Sequence, residues 1–109
     1  MGKFEIKKSK KNDFYFNLKA DNGQVILTSE MYSSKAACEN GIESVKKNSP
    51  DDLRYERKKS GSNKFSFLLK ATNGRVIGKS EQYDSEASRE KGIESVKKNG
   101  KSAAVAEEK

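Results

Sequence analysis

The sequence predicts an α+β fold: two tandem β-β-β-α(-β) repeats forming one antiparallel sheet, with two helices packed on one face about a pseudo-twofold axis. Three observations predict it. The chain repeats itself, each copy passes from alternating to helical apolar spacing, and each copy carries Asn-Gly at the same turn. At an offset of 51, Phe4–Asn48 aligns with Tyr55–Asn99 without a gap, and 28 of those 45 positions are identical. The longest shared run is Gly41–Asn48 against Gly92–Asn99. A match of that length is an internal duplication, which precedes any other inference about the fold.

The first predicted strand is Lys3–Lys8, in which Phe4 and Ile6 alternate with polar residues. Its counterpart, Arg54–Lys59, carries Tyr55 and Arg57. A polar turn at Ser9–Asp13 leads to the second strand, where Phe14, Phe16, Leu18 and Ala20 share one face by the two-residue period. Asn22-Gly23 follows, the dipeptide suited to a two-residue type I′ hairpin because both central residues need positive φ. That turn pairs Ala20 with Val25 and Leu18 with Leu27. The second copy repeats the pattern with Phe65, Phe67, Leu69, Ala71 and Val76, Gly78 standing where the first has Leu27.

A helix closes each copy. Ser33 and Asp84 are the expected N-caps, since either side-chain oxygen can accept from free first-turn amides. Cys38, Ile42 and Val45 fall at helical spacing, as do Ile93 and Val96. The last turns hold Lys46, Lys47, Lys97 and Lys98, opposing the negative end of the helix dipole. Pro50 and Gly100 are the expected stops. Gly41 and Gly92 interrupt the helices at a cost of about 1 kcal/mol each, which close approach of helix to sheet would explain. The 109 residues thus read as one domain of two repeats, 1–50 and 51–100. Residues 101–109 form a tail or a short strand around Ala103–Ala106.

Only 32% of residues are hydrophobic and 36% are charged, so the apolar pattern, not the composition, argues for order. The net charge of +7 is spread over both halves, which permits non-specific attraction to polyanions without demonstrating it. Cys38 is the single cysteine, so no intramolecular disulfide forms and a reducing cytoplasmic setting is expected. Neither a signal peptide nor a membrane span is read from the chain.

The segments Phe14–Ala20, Asn22–Ile26, Ser29-Glu30-x-Tyr32 and Asn40–Asn48 closely resemble the YegP-like family of small bacterial proteins of unknown function. The resemblance covers nearly the whole chain to Asn99. It implies a β(3)-α-β repeat in which two units build one sheet and exchange their last strands, and it brings no activity, cofactor or catalytic residue. Lys101–Lys109 lacks the family's proline-acidic approach to the last strand, and Ser66, Leu68 and Gly78 also depart from its pattern.

Candidate chemistry is sparse. The absence of histidine removes the commonest general base and metal ligand. Cys38 has no partner base, and its repeat counterpart is Arg89. No phosphate-binding glycine loop is present. The expectation is a non-enzyme without cofactor or metal, a monomer with pseudo-dimeric symmetry, acting as a binding or interaction module. One candidate partner surface is the sheet face away from the helices, where Tyr15, Ile26, Leu68 and Ile77 are expected to project. Burial of the two isoleucines under terminal strands or lysine stems is the alternative. Lys7, Lys8, Lys10 and Lys11 at the first turn, with Arg57, Lys58 and Lys59 at its counterpart, are candidate phosphate contacts for weak, salt-dependent nucleic-acid binding. Against it, Phe14, Phe16, Phe65 and Phe67 lie on the core face, and Tyr15 becomes Ser66 in the second copy. Ser29-Glu30-x-Tyr32 and Ser80-Glu81-x-Tyr83 read either as a ligand-contact pair presented twice or, preferably, as tyrosines packed over the helix starts.

Overall fold

The structure is a computed structural model that describes residues 2–101 and 104–107. Its elements are β1 (Lys3–Lys8), β2 (Phe14–Lys19), β3 (Val25–Ser29), α1 (Lys35–Asn48), β4 (Tyr55–Lys59), β5 (Phe65–Lys70), β6 (Val76–Lys79), α2 (Glu86–Gly100) and β7 (Ala104–Glu107). A short 3-10 turn, Asp52–Arg54, links α1 to β4. All strands join one sheet in the order β4-β5-β6-β3-β2-β1-β7. The two repeats meet where β3 pairs antiparallel with β6, Thr28 opposite Lys79 and Ser29 opposite Gly78. The pseudo-twofold axis passes through that pairing.

The sheet is antiparallel except at one edge, where β7 runs parallel to β1 with Phe4 opposite Val105. The last strand of the second repeat therefore lies beside the first strand of the first, but the placement is one-way: among the described residues β4 ends the sheet and pairs only with β5, so the two repeats do not exchange last strands reciprocally. The strand expected around Ala103–Ala106 is found at Ala104–Glu107, and residue 103 lies outside the described residues.

The hairpins differ from the expected form. Ala20 C=O accepts from Gly23 N–H, and Ala20 N–H donates to Gln24 C=O. Only Gly23 has positive φ (84°), not Asn22. The loop is therefore three residues, Asp21-Asn22-Gly23, the type I turn plus left-handed residue that generates a bulge. Leu18 does face Leu27, but Val25 faces Lys19 instead of Ala20. The second hairpin repeats this, with Gly74 at φ 87° and Val76 opposite Lys70. The extra residues in the bulged strands are Ile26 and Ile77.

The caps also shift by one residue. Ser34 Oγ accepts from Ala37 N–H at 3.1 Å and Ser85 Oγ from Ser88 N–H at 3.1 Å. Ser33 and Asp84 precede the caps, and Asp84 instead pairs with Lys64. Gly100 closes α2 through packing: a Cβ there would come within 2.6 Å of Ser49 Oγ, where the two helix ends meet.

Phe4, Phe16, Phe67, Leu18, Leu69, Ile42, Ile93, Val45 and Val96 form the dry centre between sheet and helices. Phe4 meets Phe16 edge-on at 5.7 Å, as Tyr55 meets Phe67 at 5.7 Å, and such pairs add to simple burial. Each helix spans both repeats, α1 lying over β2, β5 and β6, and α2 over β5, β2 and β3. Neither 51-residue unit could bury its apolar face without the other.

Candidate functional site

The helix of each repeat lies over the hairpin of the other, leaving a groove at each junction. The wider groove, about 580 Å³, runs between α1 and the β5–β6 hairpin. Tyr32, Ala37, Asn40 and Ser44 line one side; Asn73, Arg75 and Ile77 line the other. The narrower, about 160 Å³, lies between α2 and the β2–β3 hairpin. Its walls are the repeat counterparts: Tyr83, Ser88, Lys91 and Ser95 against Asn22, Gln24 and Ile26.

The tyrosines set the shape of both. Tyr32 is fixed by two 2.7 Å backbone bonds with Phe14, N–H to C=O in each direction. Its ring stacks on Phe16 at 6.5 Å and 10°. Tyr83 does the same with Phe67 at 6.5 Å and 7°. Each ring reaches the helix where that helix has glycine, Gly41 or Gly92, and a Cβ at either would lie 2.8 Å from the tyrosine Cζ. Burial raises the pKa of both phenols, followed at Tyr32 by the fields of Cys38 and Glu30 and at Tyr83 by that of Glu81. The serines that open both motifs are structural. Ser29 Oγ accepts from Phe16 N–H at 2.9 Å and donates to Glu30 C=O at 2.8 Å; Ser80 repeats both bonds with Phe67 and Glu81.

The grooves differ in chemistry. The wider holds Glu30 and Arg75, both signs of charge, beside the amides of Asn40 and Asn73. At the same places the narrower has Gln24 for Arg75 and Lys91 for Asn40.

The sheet-face surface expected from the sequence is not assembled. Ile26 and Ile77 are each 4% exposed and belong to the core. The bulges turn both toward the helices, where Ile26 lines the narrower groove with Tyr83 and Gly92, and Ile77 lines the wider with Tyr32 and Gly41. Tyr15 and Leu68 remain half-buried on their strands. One row across the sheet runs Glu5, Asn17, Thr28, Lys79, Leu68, Glu56. It is largely self-paired: Glu5 binds Lys19 at 3.0 Å and Lys3 at 3.3 Å, Thr28 donates to Asn17 at 2.8 Å, and Glu56 takes Lys58 and Lys70. The lysine partners hold the Glu5 and Glu56 carboxyls below the usual carboxylate range.

The two basic turns stand far apart. β1 and β4 occupy opposite halves of the strand order and run in opposite directions, so their turns sit at diagonal corners of the sheet. At the first, Lys10 and Lys11 are exposed, Lys7 is half-buried, and Lys8 lies 5.7 Å over the Phe14 ring. At the second, Lys59 lies 5.6 Å over Phe65, Lys58 pairs with Glu56 at 3.2 Å, and Arg57 binds Glu90 at 3.0 Å and Asp52 at 3.1 Å.

Cys38 is buried against the sheet, and burial pushes its thiol up to about 11. Arg89, its counterpart, is 7% exposed, with Nε 3.1 Å from Glu90, a terminal nitrogen 3.3 Å from Lys58 C=O and its guanidinium 5.5 Å above Phe65. Among the described residues no cluster of three His, Cys, Asp or Glu side chains could hold a metal ion. No helix there is long and apolar enough to cross a membrane.

A family described as "Domain of unknown function (DUF1508)" matches the chain twice, over residues 9–56 and 60–107. The chain belongs to this family. Within it, the chain is 60% identical over 106 residues to a "UPF0339 protein in ptx operon 5'region" of Stutzerimonas stutzeri, covering 97% of this chain and 96% of that one. It is 54% identical over 104 residues to the "UPF0339 protein YegP" of Escherichia coli K12, covering 95% and 94%. Two solution structures share the fold. The UPF0339 protein SO3888 from Shewanella oneidensis superposes with a TM-score of 0.93 at 47% identity, over 97% of this chain and 90% of that chain. The E. coli protein yegP, described as of unknown function, gives 0.92 at 53% identity, over 97% and 91%. These DUF1508 relatives are bacterial proteins without an assigned activity, and their resemblance to this chain extends through both repeats. The matched windows begin in the β1–β2 and β4–β5 turns and end in β4 and β7, so the family unit counts the strand after each helix as its last.

Proposed function

We propose that this DUF1508 chain is a non-enzymatic, monomeric, cytoplasmic binding module, and that the wider groove is where it binds. The observation that carries this reading is the difference between two grooves that the duplication would otherwise make alike. The packing parts, tyrosine over glycine above an isoleucine floor, are common to both. Only the wider groove adds an arginine and a glutamate beside two asparagines. A small molecule with an apolar part and polar groups of both signs suits such a site. The cytoplasmic assignment is supported by the lone, buried thiol, and the monomer by an internal twofold pairing of β3 with β6.

Ligand-detected NMR against a library of polar metabolite fragments tests this. Binders should shift the amides of Asn40, Ser44, Asn73 and Arg75 and should be lost in a groove-filling Ala37→Trp variant that keeps the native spectrum. Fragments that bind wild type and variant alike would place binding elsewhere.

A further inference from the structure

Of the four arginines, three are ion-paired within the chain: Arg54 with Asp51 at 3.3 Å, Arg57 with Glu90 at 3.0 Å and Arg89 with Glu90 at 3.1 Å. Arg75 is the fourth. Among the described residues it enters no salt bridge, and neither does Glu30. Both line the wider groove. Two charges of opposite sign thus share one groove without an ion pair between them. Both reach the Tyr32 hydroxyl: after burial and the field of Cys38, Glu30 raises that phenol and Arg75 lowers it.

Gly78 brings Glu30 to this place. β3 and β6 cross the pseudo-twofold axis at Thr28 opposite Lys79, which are repeat counterparts. The pairing continues with Ser29 opposite Gly78, and beyond it Glu30 N–H donates to Ile77 C=O at 3.3 Å. A Cβ at residue 78 would lie 2.9 Å from Thr28 C=O and 3.0 Å from Leu27 Cγ, so a side chain there would push β3 off β6. The first repeat has Leu27 at that position, and the narrower groove is lined by no carboxylate among the described residues. The register also sets a spacing. Arg75 precedes Ile77 by two residues, so the backbones of Glu30 and Arg75 stand about 7 Å apart along the strand direction.

On the reading that the wider groove is the binding site, we propose that its ligand is a free α-amino acid with an apolar side chain, its carboxylate on Arg75 and its ammonium on Glu30. A simple anion would face Glu30 and a simple cation would face Arg75, whereas a zwitterion answers both. An α-amino acid carries its charges about 3 Å apart. A charge-assisted bond of about 2.8 Å at each end lets it span about 8–9 Å, which matches the separation the register sets. The amides of Asn40 and Asn73 and the Ser44 hydroxyl line the same groove and can complete the carboxylate's hydrogen bonds. Ala37, Ile77 and Met31 offer the side chain apolar contact, and Met31 is 57% exposed until something covers it.

The probes are L-leucine and L-phenylalanine, titrated into the isotope-labelled full chain. At least one should shift the Glu30, Tyr32, Asn40 and Arg75 amides to saturation, and the Ala37→Trp variant should lose those shifts. Blocking the ammonium by acetylation, or the carboxylate as the amide, should each weaken binding at least about fivefold. Arg75→Gln should bind the amino acid and its amide alike, and Glu30→Gln the amino acid and its N-acetyl form alike. Both residues are exposed, so both variants should keep the native spectrum. Glycyl-leucine, with its charges farther apart, should bind more weakly than leucine. Blocked derivatives that bind as tightly as the parent, tighter binding of glycyl-leucine, or saturable groove shifts from other fragments but from neither amino acid would each overturn the assignment and leave the groove as the site. Absence of any binding sensitive to Ala37→Trp, by amino acids or fragments, would overturn both readings.

Discussion

Alanine at Gly41 should destabilise the protein although the site is inside a helix. In an exposed helix the change is favourable by about 1 kcal/mol. Here the new methyl would lie 2.8 Å from Tyr32 Cζ and 3.1 Å from Phe16 Cε2, closer still to the Tyr32 hydroxyl. Carbon pairs rest at about 3.5–4.0 Å. Tyr32 cannot yield by moving its backbone, which is bonded to Phe14 at 2.7 Å in both directions. Its ring can escape only by leaving the Phe16 stack for the open groove. Overpacking of this kind costs about 1–3 kcal/mol. Lost stacking adds to it, so after the helix gain the net loss should be about 1–2 kcal/mol. Urea unfolding should show a lower midpoint with an unchanged slope. Gly92→Ala is an independent repeat of the experiment, with Tyr83 Cζ at the same 2.8 Å. A Tyr32→Phe partner should recover part of the Gly41→Ala loss, because the nearest clashing atom is removed. If Gly41→Ala raised stability by about 1 kcal/mol, helix propensity would be the whole effect, and the explanation of both helical glycines by tyrosine contact would be wrong.

Three further outcomes are expected. Ser49 is fully buried and its hydroxyl has no hydrogen-bond partner among the described residues, so Ser49→Ala should leave stability unchanged or raise it by about 1 kcal/mol in the same urea assay. Ile26→Glu would place a carboxylate in the core beside Tyr83 and Gly92; it should cost more than about 3 kcal/mol and abolish the native spectrum rather than alter a binding surface. Burial raises the thiol of Cys38 from 9.0 to about 11 and raises the Tyr55 phenol, which donates to Ser49 C=O at 2.7 Å. A folded-state pKa above the unfolded one leaves this stabilisation fully present below pH 9, and for Cys38 it is lost between pH 9 and 11. Thermal melts should therefore fall across that window, and Cys38→Ala should flatten the part of the slope due to the thiol.

Much of the fold is legible in the sequence because the duplication presents each signal twice. Phe14, Phe16 and Leu18 alternate as a strand must, and Leu18 meets Leu27 as the hairpin implies. The bulge is less legible. Asn-Gly fits a two-residue loop, yet Asp21 also enters the turn and only Gly23 takes positive φ. One added residue is enough to move Ile26 to the other face, because a strand's side chains alternate. The candidate partner surface fails on that single residue. The N-caps show a smaller form of the problem: Ser33-Ser34 and Asp84-Ser85 each offer two adjacent oxygens, and the first helical turn selects the second. The grooves were not legible at all, since Arg75 and Asn40 meet only after each helix crosses onto the other repeat's hairpin. The recurring Glu-x-Tyr motif was the available signal, and its tyrosine does form the groove wall.

An internal duplication also separates packing from other constraints. Where both copies keep a residue in the same environment, as with Tyr32 and Tyr83 over their glycines, the fold accounts for it without further assumption. Cys38 and Arg89 show the converse. The same position fills the core with a thiol in one repeat, and in the other carries a guanidinium braced by Glu90, Phe65 and the Lys58 carbonyl. That bracing lies behind β4, beside whose outer edge no strand lies among the described residues, while the repeat with the thiol has its edge closed by β7. Position 57 changes in the same sense, from a buried isoleucine in β1 to an ion-paired arginine in β4. Two substitutions on two elements thus convert the same corner from apolar to charged only where the strand is missing. An edge that merely needed to stay soluble could manage with exposed lysines. Here the arginines are instead ion-paired, Arg57 to Glu90 and Asp52 and Arg89 to Glu90, so the charges at this corner are satisfied within the repeat.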